Sequence, residues 1–205
     1  MKFIIGEKLN MTQVFDEHGR VHPATIILAG PVTVTQVKTV DTDGYHAAQI
    51  GFGVQKEHRV TKPRLGHMKK AGGIFKYLRE ERTLVPIETK VGDALNVADV
   101  FQPGDTVQVS AISKGKGFQG VIKRHGFHGG PRTHGNKHAE RSPGSIGAGG
   151  VQRVLKGTRM GGRMGGDRVT FRNVTVLAVD KEQNQLILKG SVPGRRGTLV
   201  EVRGV

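Results

Sequence analysis

The sequence predicts a mainly β fold, a barrel or sandwich of short strands, with one long glycine-rich basic loop inserted between two of them. Three observations carry that prediction. Runs of β-branched residues alternate with turn signals along both flanks of the chain, stretches with helical character are few and short, and residues 114–168 differ in composition from everything around them.

His22 to Leu28 is an extended run closed by Gly30-Pro31. Val32 to Val40 is rich in Val and Thr, which suit a pleated surface, and it stops at the turn signal Asp41-Thr42-Asp43-Gly44 before Tyr45 to Phe52 resumes the pattern. Pro63 to Ala71 and Leu95 to Phe101 are the candidate short helices. Gln102-Pro103-Gly104-Asp105 is a turn, and Thr106 to Ile112 alternates apolar and polar positions. Beyond the basic stretch, Val174 to Val179, the turn Asp180 to Asn184 and Gln185 to Leu188 read as a hairpin, and Thr198 to Val202 is a final strand. Strands this short, with turns this frequent, indicate a barrel or sandwich.

Residues 114–168 are made of other material. They hold 12 Lys or Arg against two acids, Glu140 and Asp167, while the other 150 residues carry 20 basic and 15 acidic side chains. The stretch contains 16 of the 31 glycines and only eight Leu, Ile, Val or Phe, too few to build a core of its own. A structureless insertion of this length does not belong inside a compact domain. The expected organisation is therefore a discontinuous β-barrel domain, 1–113 with 169–205, and an extended basic loop, 114–168, that leaves it and is ordered by a partner. Out and back, about 27 residues each way span roughly 90 Å when fully extended. Glycine permits close backbone approach and Lys or Arg neutralise phosphates, a combination suited to threading through folded RNA.

Composition narrows the partner. The 32 Lys and Arg against 17 Asp and Glu leave a formal charge of +15, and self-repulsion of that size calls for a polyanion. No apolar run of about 18 residues is present, so a membrane partner is not expected. The opening Met1-Lys2-Phe3-Ile4-Ile5-Gly6 is interrupted by Glu7 and does not read as a signal peptide. Absence of cysteine excludes disulfides, thiolate zinc sites and cysteine nucleophiles, and the expected location is cytoplasmic.

Motifs in the basic stretch have both a chemical and a plainer reading. Gly115-Lys116-Gly117-Phe118-Gln119-Gly120 matches a dinucleotide fingerprint, with Glu140 twenty residues on. That motif needs a helix opening at its third glycine, and Gly126, Gly129, Gly130 and Pro131 leave no room for one, so no cofactor is expected. His134 and His138 have a metal-ligand spacing, but one carboxylate and many cations surround them, and no metal is expected. Pro143 occupies the first glycine position of a nucleophile elbow, which removes the serine-hydrolase reading. The tandem Arg159-Met160-Gly161-Gly162 and Arg163-Met164-Gly165-Gly166 reads as a linker or, with arginine every fourth residue, as an RNA-contacting arm.

Ser113-Lys114-Gly115-Lys116-Gly117-Phe118-Gln119-Gly120-Val121, followed by Lys123-Arg124-His125-Gly126-Phe127, resembles the third large-subunit ribosomal protein family in its bacterial form. The resemblance continues through His134-Gly135, Arg141 to Gly147, Lys156-Gly157 with Met160 and Gly162, Asp167 to Thr170 and Gly190 to Gly194. Gly6 to Phe15 is similar to the family's opening, so the match runs nearly end to end. It implies a translation-factor-like β-barrel, binding to the 3′ region of 23S ribosomal RNA, an early role in subunit assembly and contacts with neighbouring large-subunit proteins. It also implies a loop reaching toward the peptidyl transferase centre, with its tip at Ser145, Ile146, Gly147, Ala148, Gly149, Gly150, Val151 and Gln152. Two positions depart from the family. Asn10 stands where Gly is common, and Asn tolerates a left-handed turn there. Ala148 stands where some members carry a methylated glutamine, so that modification is not expected.

The candidate RNA-binding residues are the cations and imidazoles of the stretch. They are Lys114, Lys116, Lys123, Arg124, His125, His128, Arg132, His134, Lys137, His138, Arg141, Arg153, Lys156, Arg159, Arg163 and Arg168. No small-molecule substrate is implied. Two other functions compete: a nonribosomal RNA chaperone or assembly factor using the same arm, and an enzyme acting on RNA. The enzyme reading lacks an acidic cluster, since only Glu140 and Asp167 lie in the region.

Overall fold

The computed structural model of the chain describes residues 2–205. Six strands close a barrel: β1 (Phe3–Phe15), β2 (Val21–Leu28), β7 (Thr106–Ile112), β10 (Arg168–Asp180), β11 (Gln185–Lys189) and β12 (Leu199–Gly204). Their order around the wall is β1-β12-β7-β10-β11-β2, with every neighbouring pair antiparallel. Three strands precede the basic stretch and three follow it, so the barrel is built from both sides of the insertion as the strand pattern predicts.

The alternation that marks these strands places the core. Val107, Val109 and Ala111 of β7 face inward and pair with Gly204, Val202 and Val200 of β12. Val176 of β10 lies opposite Leu188 of β11, and both are buried. A six-stranded barrel has no lumen; branched side chains fill it. In β1 the residues Phe3, Ile4, Ile5 and Gly6 are buried without a break. Consecutive strand residues point to opposite faces, so β1 is covered on both sides there.

The second cover is a separate four-stranded sheet, which the sequence pattern did not separate from the barrel. It comprises β3 (Val32–Lys38), β4 (His46–Val54), β5 (Phe75–Thr83) and β6 (Ala94–Leu95), in the order β5-β4-β3-β6. The runs at Val32 and Tyr45, expected in the barrel, belong here. Val32, Val34, Ile50 and Phe52 of this sheet join Ile4, Ile5 and Leu188 in one hydrophobic core. β5 is charged along its length and docks through ion pairs: Lys76 with Glu7, Arg79 with Glu201 and Arg203 with Glu81.

Among the remaining local expectations, two differ in outcome and one is met. Asp41-Thr42-Asp43-Gly44 is not a simple turn but the one-turn helix α1 (Val40–Asp43), ended by Gly44 in the left-handed region at φ 79°. The two expected helices form as α2 (Lys62–Met68), extended by a 3₁₀ turn Lys69–Ala71, and as α3 (Val97–Val100). Asn10 does not adopt left-handed backbone: it lies in β1, where pairing with β2 shifts between Lys8 and Met11, so a bulge takes up the irregularity.

The chain divides into two compact units, one of residues up to Ile112 together with Arg168–Val205, the other Ser113–Asp167. Arg168 therefore falls with the barrel, as the first residue of β10, where it pairs with Ile112 and its guanidinium bonds Glu201.

Candidate nucleic-acid interface

The unit Ser113–Asp167 begins as a ladder of backbone bonds. Ser113 N donates to Asp167 O at 2.9 Å, Lys116 N to Met164 O at 2.9 Å and Met164 N to Gly117 O at 2.9 Å. The ladder continues as β8 (Phe118–Gln119) against β9 (Gly162–Arg163). Glycine is required in this stem. A Cβ on Gly165 would overlap the Lys114 carbonyl, and the backbone there is left-handed at φ 73°.

A helix does open at Gly120, contrary to expectation: α4 (Val121–His125) has Gly120 as its N-cap and ends on Gly126 at φ 74°. Gly126 still matters, because it stops the helix after five residues. The preceding strand β8 has two residues and belongs to a two-stranded antiparallel ladder, so the parallel strand and long helix of a dinucleotide site are absent among the described residues. The Met160 carbonyl accepts from Arg124 at 2.9 Å and lies 3.0 Å from His125 Nε2, which ties α4 to the returning chain.

Residues 129–144 close on themselves as a small lobe. Gly130 N donates to Glu140 O at 2.9 Å, and any side chain at Gly129 would overlap that same carbonyl. Arg132 Nε meets Glu140 Oε1 at 2.6 Å. His134 and His138 hold left-handed backbone, φ 60° and 59°, as the corners of the lobe. At the expected tip, Ser145 Oγ donates to Gly147 O at 2.8 Å, and every residue from Arg141 to Gly157 is exposed. The segment is thus not structureless, as its composition suggested: it carries a ladder, a helical turn and a locked lobe, all without a core. Among its described residues only Val121 is buried.

Every Lys and Arg from Lys114 to Arg168 is exposed, as are His128, His134 and His138; His125 is half-buried. Three of these cations already have a protein partner: Arg124 on Met160 O, Arg132 on Glu140 and Arg168 on Glu201. Lys114, Lys116, Lys123, Lys137, Arg141, Arg153, Lys156, Arg159 and Arg163 form no ion pair among the described residues. No group of three or more His, Asp and Glu among the described residues is placed to hold a metal ion, and no described helix is long and apolar enough to cross a membrane. Two aromatic rings in the unit lie outside the expected RNA contacts, which are cations and imidazoles: Phe118, 78% exposed, and Phe127, tilted against His125 with ring centroids 6.1 Å apart.

The chain is thus a closed β-barrel carrying an inserted glycine-rich segment whose Lys and Arg are exposed. The chain belongs to the ribosomal protein L3 family: the family model matches residues 81–186. It is 51% identical over 200 residues to the large ribosomal subunit protein uL3 of Herpetosiphon aurantiacus, covering 97% of this chain and 94% of the relative. It is 53% identical over 205 residues to the uL3 of Acidothermus cellulolyticus, covering 99% and 92%. With the uL3 of Carboxydothermus hydrogenoformans the identity is 50% over 203 residues, covering 98% and 96%.

Proposed function

We propose that this chain is a structural constituent of the large ribosomal subunit, without catalytic activity, and that it binds 23S ribosomal RNA through the basic segment between β7 and β10. The observation that carries the reading is the exposure of every Lys and Arg from Lys114 to Arg168 in a segment with one buried residue. Cations held out on a glycine-rich backbone neutralise phosphates, and binding of this kind gives affinity and register with little sequence readout. The family resemblance extends the reading to the 3′ region of that RNA, early participation in subunit assembly, neighbouring large-subunit proteins as partners and a cytoplasmic ribosome as its place. In the same reading Ser145 to Gln152 form the tip of a loop that reaches toward the peptidyl transferase centre. Small side chains at Ser145, Gly147, Ala148, Gly149 and Gly150 suit a crowded position where backbone passes close to bases.

Sucrose-gradient sedimentation at moderate salt tests the reading. The chain is expected in mature large subunits; a chaperone or assembly factor leaves them on maturation. Deleting Ala148 to Gly150 is expected to leave occupancy nearly intact while impairing peptidyl transfer. Lost occupancy would place the anchor at the tip instead.

A further inference from the structure

Within the Ser113–Asp167 unit, α4, the locked lobe and the returning chain enclose an open cleft of about 510 Å³, within the ~300–1,000 Å³ span of small-ligand sites. Its walls include His125, Phe127, His128, Pro131, Asn136 and Arg159, with glycine backbone between them. The walls are preorganised. His125 is held at Met160 O, Asn136 Nδ2 donates to Pro131 O, and Gly130 N donates to Glu140 O. His128 and Arg159 have no hydrogen bond or ion pair among the described residues, so two planar, hydrogen-bonding groups face the cleft uncommitted. Glycine at 129 is compulsory for this geometry, because a side chain there would collide with the Glu140 carbonyl that closes the lobe.

Flat rings beside a planar guanidinium, in a cleft with neither carboxylate nor metal cluster, suit a π-face linked to an anion. We infer that this cleft receives one unstacked nucleotide of an RNA strand, its base stacking on Phe127 and His128 and its phosphate meeting Arg159. The inference rests on the RNA-binding reading above and adds a specific contact to it. Phosphate neutralisation ignores the base, whereas stacking responds to its presence, typically by about tenfold or more in affinity per base.

The test uses the full-length chain and a single-stranded RNA hexamer with 2-aminopurine at one central position, beside the same hexamer made abasic there. Absence of tryptophan keeps the probe's emission clear of the protein's. The expected result is quenching of 2-aminopurine on binding and about tenfold weaker binding of the abasic strand. Phe127→Leu and His128→Gln, which keep apolar volume and neutral polarity, should remove the quench and the preference while leaving the salt dependence of binding unchanged. Equal affinity for both hexamers, or a quench that survives in Phe127→Leu, overturns the nucleotide site alone. Failure of either hexamer to bind at low salt overturns the RNA-binding reading with it. Adenosine 5′-monophosphate should not displace the strand at comparable concentration; if it does, the cleft is a free-nucleotide site and the assignment to an RNA strand is overturned.

Discussion

The barrel unit and the Ser113–Asp167 unit use the same residue types for opposite ends. In the barrel unit six Lys and Arg are held in ion pairs that join one part of the fold to another: Lys2 with Asp105, Lys38 with Glu80, Lys76 with Glu7, Arg79 and Arg168 with Glu201, and Arg203 with Glu81. In the basic unit one ion pair, Arg132 with Glu140, is formed among the described residues, and the remaining cations face outward. Glycine divides in the same way. Gly6 sits where a Cβ would overlap the Leu28 carbonyl, whereas a Cβ on Gly147, Gly149 or Gly150 would meet nothing within 4 Å. Residues whose surroundings are satisfied within the fold hold the fold. Residues left unsatisfied are the surface on which a partner must complete the structure.

That contrast makes its largest prediction in the core. Leu188 is fully buried in the main cluster, and Leu188→Ala should destabilise the protein by about 3 kcal/mol in chemical denaturation. Val121 is the buried residue of the other unit, and Val121→Ala should change the same transition by less than about 0.5 kcal/mol. Equal losses would mean that both units share one cooperative core.

A smaller difference is expected between two glycines. Gly6→Ala forces a methyl group into the β1–β2 contact and should cost about 1–3 kcal/mol. Gly149→Ala has open space and no left-handed backbone to strain, so thermal denaturation should not register it beyond about 0.5 kcal/mol.

The smallest effect is a pH dependence of the barrel unit. The carboxyl of Asp105 is held below the usual carboxylate range, first by the backbone N–H of Gln102 and then by Lys2. A depressed folded pKa contributes stability above the ordinary aspartate value of about 3.9, and that stability is lost as pH falls through the folded value. Asp105→Asn should therefore flatten the stability profile on acidification below about pH 4. An unchanged slope would show that the turn at Gln102 does not depend on the charge.

The parts of the fold that were legible had local signatures. Val and Thr runs marked β3, β7 and the hairpin of β10 and β11, because such residues favour a pleated, half-buried surface wherever it lies. β1 carries no such signature, because Gly6, Glu7, Lys8 and Asn10 break its apolar pattern and the bulge after Lys8 breaks its register. β5 carries none either, because Lys76, Arg79, Glu80, Glu81 and Arg82 read as solvated charge. Glu7, Lys38, Glu201 and Arg203, which pair with four of them, are distant in sequence. In the basic segment the charge and glycine content were visible, while the lobe closed by Gly129 and Gly130 on Ala139 and Glu140 was not, since pairing across a loop leaves no periodic trace. α4 forms within the glycine-rich stretch because five residues of helix fit between Gly120 and Gly126.

Limited trypsin digestion of the intact protein, with and without large-subunit RNA, tests the division most directly. Without RNA, cleavage should fall at the exposed Lys and Arg between Lys114 and Arg163, and the two flanking fragments should stay associated, since β1, β2 and β7 pair with β10, β11 and β12 in one barrel. With RNA, those same sites should become protected. Cleavage spread evenly along the chain, or sites in the basic segment that resist trypsin without RNA, would contradict the account.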